Sequence, residues 1–240
     1  MLADREDAFG RMLLEALEGR RVAEIVERDD GFIDASATQL YLSPFRSWPA
    51  HHRRAMRLVR GRVLDIGAGA GRVALHLQAR GHDVVSIDIS PGAVEVCRRR
   101  GVRDARVCAI EDVDESLGRF DTIVLLGNNF GLFAGRAKAK RLLRRFHGLT
   151  SERGRILAET RDIYATADPG HLAYQERNRR RGRMSGQIRL RIRHGLAATP
   201  WFDYLMVSRA ELEELAEGTG WKLTRTIDSE DTYVAVLEKA

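Results

Sequence analysis

Val63-Leu64-Asp65-Ile66-Gly67-Ala68-Gly69-Ala70-Gly71-Arg72 is the stretch that decides the fold. A short apolar run ends in glycines at every second position, and the spacing predicts a buried strand followed by a helix from Arg72 to Arg80. Alternate glycines let the main chain turn sharply off the strand and let a ligand lie against it. The first amides of the next helix have no partners within that helix and are free to donate. The pattern is not G-x-G-x-x-G: the third glycine comes one residue early, and an acid precedes the first. A dinucleotide site holds a pyrophosphate anion at the helix N-terminus. A carboxylate at the strand end would repel that anion and suits a ligand that carries an ammonium group.

The same grammar continues outward. Val84 to Ile87 reads as a second strand, and Ser90-Pro91 opens a helix to about Arg100. Ala105 to Ile110, Asp121 to Leu126 and Arg155 to Glu159 read as further strands, with a helix from Arg136 to Leu149. Apolar strands alternating with helices mean a parallel sheet covered on both faces. Asp88 ends the second strand, where an acid can accept hydrogen bonds from both hydroxyls of a ribose.

The flanks read differently. Phe9, Met12, Leu13, Ala16, Leu17, Val22, Ile25 and Val26 fall at helical spacing, although Gly10 and Gly19 interrupt it. A second helix is expected from Ala50 to Arg60. Between Gly186 and Arg193 apolar residues alternate with Arg189, Arg191 and Arg193, as in a half-exposed strand, with Ala198 to Val207 as its partner. Ser208 and Glu211 form a capping box for a helix through Glu217. Two strands, Trp221–Ile227 and Thr232–Leu237, then close the chain as an antiparallel hairpin. The expectation is one domain over 1–240: a helical N-terminal cap (1–60), a core (61–160), a β-rich substrate-lid insertion (161–207), and a C-terminal helix and hairpin (208–240).

Composition narrows the function. The chain has 240 residues, 44% hydrophobic and 31% charged, enough for one full core. There is no run of eighteen apolar residues to span a membrane. The first residues, Met1 to Asp7, are acidic and precede no apolar segment, so no secretion signal is expected and a cytoplasmic location is. Cys97 and Cys108 are too few for a disulfide framework or a zinc knuckle. Basic residues number 40 against 34 acidic ones, a net charge of +6, and only Lys138, Lys140, Lys222 and Lys239 are lysines.

Around the glycine loop the sequence resembles the class I S-adenosylmethionine-dependent methyltransferases of the small-molecule type. The likeness covers roughly residues 60 to 160 and the C-terminal hairpin. It implies a Rossmann-like, doubly wound α/β sheet of seven strands, mostly parallel, with the antiparallel hairpin at its end, and S-adenosyl-L-methionine as cofactor. By resemblance Asp65 lies near the cofactor's amino group, and Gly67, Ala68, Gly69 and Gly71 form the floor. Asp88 would take the ribose hydroxyls, with Ile89 against the adenine and Glu111 or Asp112 at the adenine amino group. Leu126-Gly127-Asn128-Asn129 is similar to the Leu-Gly-Asn segment of glycine- and sarcosine-type N-methyltransferases, with a second Asn where those have Ser. That places Gly127 and Asn128 against the cofactor. The Asn-Pro-Pro-Tyr segment of amino-directed nucleic-acid methyltransferases is absent.

A sulfonium methyl is already activated, so the remaining task is to place an O or N nucleophile in line behind it and exclude water. A hydroxyl acceptor needs a base. No residue declares itself; His51, His52 and His171 are candidates, with Asp203 behind them. No carboxylate cluster for a metal can be assembled. Tyr41, Arg46 and Trp48, between the N-terminal helices, and Tyr164, Tyr174 and Trp201, in the insertion, are candidate contacts to a small-molecule substrate. The competing reading is a tRNA or rRNA methyltransferase. Arg177, Arg179, Arg180, Arg181, Arg183, Arg189, Arg191 and Arg193 could neutralise phosphates. They could equally cover apolar surface with their stems on a solvated lid.

Overall fold

The chain enters through helix α1 (Ala8–Leu17), which buries Met12 and Leu13 completely. This computed structural model describes residues 2–240. Gly19, at φ +85°, stops the helix. The helical expectation for Val22, Ile25 and Val26 is corrected here. Residues Ala23–Arg28 form strand β1, antiparallel to β2 (Ile33–Ala37). These β-branched side chains suit a pleated surface and find their partners far along the chain. Short helices α2 (Gln39–Leu42) and α3 (Ala50–Met56) follow, α3 ending before the expected Arg60.

The core then alternates as expected: β3 (Val63–Ile66), α4 (Arg72–Gln78), β4 (Val84–Asp88), α5 (Pro91–Arg99), β5 (Ala105–Val107), β6 (Phe120–Leu125), α6 (Arg136–Gly148) and β7 (Thr150–Arg161). Ser90 caps α5 by accepting the Ala93 amide, with Pro91 in the first turn. β5 is shorter than expected, and Ile110–Asp112 is a 3-10 turn. The insertion is not purely β. It begins with helix α7 (Pro169–Arg180) and continues as β8 (Gln187–His194), β9 (Ala197–Ala198) and β10 (Phe202–Leu205). Helix α8 (Arg209–Ala216) opens with the Ser208–Glu211 capping box, and β11 (Trp221–Ser229) and β12 (Thr232–Lys239) complete the chain.

The main sheet has seven strands in the order β11-β12-β7-β6-β3-β4-β5, and β12 alone runs against its neighbours. Side chains alternate between its two faces. Leu64, Ile66, Val85, Ile87, Ile123, Leu125 and Ile156 pack toward α6 and α8, while Val63, Val84, Val124 and Leu157 pack toward α3, α4 and α5. The period of two therefore puts Asp65, Asp88 and Glu159 on the second face, at the carboxyl ends of three parallel strands. A second sheet, β10-β8-β1-β2 with β9 on β8, joins the N-terminal hairpin to the insertion. Cap and lid are thus one structure. No helix among the described residues is long and apolar enough to cross a membrane.

Candidate active site

The glycine loop adopts the backbone its residue types allow: Gly67, Gly69 and Gly71 all have left-handed φ. Asp88 holds the loop from one side. Its Oδ2 accepts the Gly69 amide (2.9 Å) and its Oδ1 the Ser90 amide (3.0 Å). Asn129 holds it from the other, donating Nδ2 to the carbonyls of Ile66 (3.1 Å) and Gly67 (2.9 Å). Phe9 and Tyr41 roof it: a Cβ on Gly69 would stand 3.5 Å from the Tyr41 ring and 3.7 Å from Phe9.

Two buried groups beside this loop have unmet demands. Asp65 is 2% exposed and its Oδ2 has no partner. Burial pushes its carboxyl up to about 7, against the pull of the Arg72 charge. Arg72, the first residue of α4, is 9% exposed, and its Nη1 has no partner either. A buried carboxyl group that a nearby positive charge would ionise and a buried guanidinium, each with an open valence, fit the ammonium and the carboxylate of an amino-acid head group respectively. Burial also pushes Asp88 up to about 6, despite the amides of Ser90 and Gly69. Next to it Ile89 is 47% exposed, an apolar side chain left open at the strand end. A Cβ on Gly127 would meet nothing within 4 Å, so the main chain after β6 is likewise approachable.

The centre of the site is a residue that sequence reading missed. Glu159 is 4% exposed and accepts four hydrogen bonds. Its Oε1 takes Nε2 of His51 (2.9 Å) and of His52 (2.8 Å), and its Oε2 takes the amides of Gly127 and Asn128. Burial would raise its pKa, but the hydrogen bonds from His51, His52 and Asn128 outweigh it and hold the carboxyl well below the usual range. A charged residue closing the apolar run Ile156-Leu157-Ala158 was the available signal. His52 in turn accepts at Nδ1 from Arg72 Nη2 (3.2 Å), and burial lowers its pKa. That bond fixes a neutral imidazole with its proton on Nε2. His51, His52 and Glu159 lie close enough together to ligate an ion. Ligation through Nε2 of His52 would move its proton to Nδ1, directly against the Arg72 donor, so the donor set does not suit a metal.

Other expected residues fall elsewhere. His51 belongs to the cluster and keeps Nδ1 unpartnered, and Trp48 lies beneath the Arg72 guanidinium at 4.5 Å. Tyr41 sits over the loop and donates to Glu24 Oε2 (2.8 Å). Glu24, which burial pushes above its ordinary value, is a second missed residue, hidden by the mistaken helix. Tyr204 of β10 donates to the Asn128 carbonyl (2.5 Å) and closes the lid onto the core. Gly67, Ala68 and Gly71 lie in the loop as expected. Glu111 and Asp112 are exposed in the 3-10 turn, with Glu111 paired to Lys138. Arg46 is exposed. His171 meets Phe32 edge to face, Tyr164 donates to Glu211, Tyr174 donates to Asp29, Trp201 stacks on Arg191, and Asp203 pairs with Arg183. These five serve the lid and its surroundings.

Comparison with known proteins agrees with this geometry. A family model described as a methyltransferase domain matches residues 63–154. An S-adenosylmethionine-dependent methyltransferase from Bacteroides fragilis, solved with S-adenosyl-L-homocysteine, superposes with a TM-score of 0.85 at 27% identity, covering 100% of this chain and 98% of that one. The magnesium-protoporphyrin O-methyltransferase of Rhodobacter capsulatus is 30% identical over 127 residues, 43% of this chain and 57% of that protein. A ubiquinone biosynthesis O-methyltransferase from Azorhizobium caulinodans is 35% identical over 98 residues, 36% of this chain and 39% of that protein. The chain thus matches little more than half of one curated relative and well under half of the other.

Proposed function

We propose that this chain, a class I S-adenosylmethionine-dependent methyltransferase, methylates a small-molecule oxygen or nitrogen acceptor held between the core and the lid sheet. The observation that carries the reading is the pair of opposite, unpartnered charges, Asp65 Oδ2 and Arg72 Nη1, flanking the glycine loop. They would hold the ammonium and carboxylate of the cofactor's methionine end. Asp88, already bonded to Gly69 and Ser90, has lone pairs left for ribose hydroxyls, and Ile89 offers an apolar face for adenine. Bound there, S-adenosylmethionine supplies a methyl group already activated on a sulfonium.

The chain's own residues then have three tasks. Tyr41 and Tyr204 wall the acceptor space and exclude water. The Gly127–Asn128 turn, fixed by Glu159, limits where the acceptor can sit. His51 takes the acceptor's proton on Nδ1, because Glu159 already holds its Nε2.

The arginine cluster supports the small-molecule reading over the nucleic-acid one. Arg177 pairs with Asp29, Arg179 and Arg180 with Glu176, Arg183 and Arg189 with Asp203, and Arg191 and Arg193 with Glu27. Among the described residues only Arg181 of the eight lacks an acidic partner. Charges neutralised within the lid release few counterions on meeting a phosphate backbone.

Calorimetric titration with S-adenosylhomocysteine and with NAD tests the cofactor assignment. Binding of NAD alone would sink it. Methyl-labelled S-adenosylmethionine offered with hydroxylated and amine-bearing small molecules, and separately with bulk tRNA, then tests the acceptor class. Label transferred to tRNA alone would overturn the small-molecule reading.

A further inference from the structure

Arg72 cannot aim itself. An arginine has four rotatable bonds, and a cation at a helix N-terminus gains nothing from the helix dipole. Two contacts and burial set its plane nonetheless. The Trp48 ring lies 4.5 Å beneath Cζ, His52 Nδ1 takes Nη2 at 3.2 Å, and burial closes off the rest. What remains is Nη1, buried and unpartnered. His52 can accept from Arg72 only because its own proton sits on Nε2, and Glu159 Oε1 holds that proton at 2.8 Å. Glu159 is fixed in turn by His51 and by the amides of Gly127 and Asn128. The chain of bonds runs from β7 through α3 to α4, three elements with no neighbourhood in sequence.

We propose that Glu159 and His52 form a positioning relay that points Arg72 Nη1 at the carboxylate of the cofactor's amino-acid end, and so set how strongly the enzyme distinguishes the whole cofactor from its adenosine part. The proposal rests on the cofactor reading above. Through His52 and Arg72 the relay reaches a single group of the cofactor, its carboxylate; Glu159's other bonds, to His51 and the Gly127–Asn128 turn, serve the acceptor side. Asp88, Ile89 and Glu111 share no hydrogen bond with Arg72, His52 or Glu159 and are held by other partners, so adenosine recognition has its own supports. Neither His52 nor Glu159 touches the ligand carboxylate; both act through Arg72. A bond from a charged donor to a charged acceptor, correctly aimed in a buried site, is worth about tenfold in affinity or more.

Two probes separate the two halves of the ligand: S-adenosylhomocysteine, which carries the amino-acid end, and 5′-methylthioadenosine, which lacks it. Calorimetry on the full chain should show that His52→Leu weakens S-adenosylhomocysteine about tenfold while changing 5′-methylthioadenosine less than about twofold. Arg72→Lys should give the same split, since a lysine is a point charge that the relay cannot orient. His52→Gln, whose amide oxygen can still accept from Arg72, should recover part of the loss. Glu159→Gln gives an independent measure should His52→Leu fold poorly. Equal losses for both probes would overturn the relay, because a merely structural role predicts them. Undiminished S-adenosylhomocysteine binding in Arg72→Lys and Glu159→Gln would overturn it too. A parent chain that binds neither probe would instead remove the cofactor reading itself, and the relay with it.

Discussion

Asp65 shows at the scale of one residue what burial does to an unpartnered carboxyl group. Its carboxyl titrates at about 7 when folded, well above the ordinary value near 3.9. The fold favours the protonated form, so this contribution to stability is full below about pH 4 and is lost as pH rises past 7. Asp88, raised to about 6 by burial, acts with the same sign over a slightly lower window. Asp65→Asn should therefore stabilise the ligand-free protein by roughly 1–3 kcal/mol at pH 8, with the difference closing near pH 4, in urea unfolding followed across pH. The same variant should lose binding of S-adenosylhomocysteine, since an amide cannot meet the ammonium as a charge. Asn129 makes a different kind of contribution. Its amide ties the turn after β6 to the carbonyls of the glycine loop. Asn129→Ala should cost about 1–2 kcal/mol and raise the hydrogen-exchange rate of the loop amides. Unchanged exchange would mean that Asp88 alone holds the loop.

Among the elements, α1 is the piece whose docking reaches furthest. It crosses α5 at two glycines, and a Cβ on Gly92 would meet the Gly10 backbone at 2.7 Å. Asp7 locks the crossing, accepting from Ser90 Oγ (2.6 Å), Gly92 N (2.7 Å) and Gly10 N (3.1 Å). Ser90 is also the residue whose amide holds Asp88, so the cap and the Asp88 carboxylate share one support. Main chain cannot yield as a side-chain tip can. Gly92→Ala should thus destabilise by about 1–3 kcal/mol and speed proteolysis of the N-terminal segment ahead of the core. Equal cleavage rates in parent and variant would show that the crossing does not hold the cap. The lid sheet teaches the same lesson. Its β1 strand read as helix because Val22, Ile25 and Val26 sit at positions that either period can accept, and the pairing with β8 decides between them.

For the whole molecule, the excess of basic residues is the feature most easily misjudged. Seven of the eight clustered arginines meet acids: Arg177, Arg191 and Arg193 join the lid to the cap through Asp29 and Glu27, and the other four pair with Glu176 or Asp203 inside the lid. Binding to bulk tRNA should accordingly be weak and gain little as salt is lowered; a steep dependence on salt would contradict this. Ligand binding should act on the entire fold, because the site is assembled from the cap, the core and the lid. S-adenosylhomocysteine at about one hundred times its Kd should add roughly 2.7 kcal/mol to stability and raise Tm in a concentration-dependent way, as followed by calorimetry.

The sequence by itself determined the parallel core, the glycine loop, its two acids and the C-terminal hairpin. Those features are local: a strand, a turn and a cap each depend on residues a few positions apart, and backbone sterics and periodicity suffice to read them. Tertiary structure alone decided the rest. Glu159, His52 and Arg72 become one hydrogen-bonded chain only when β7, α3 and α4 meet at the carboxyl end of the sheet. Glu24 faces Tyr41 only because the N-terminal residues pair as strands. Burial is what gives such groups their chemistry. It leaves Asp65 and Arg72 with unmet charges, and no spacing along the chain encodes which polar atom will be left without a partner.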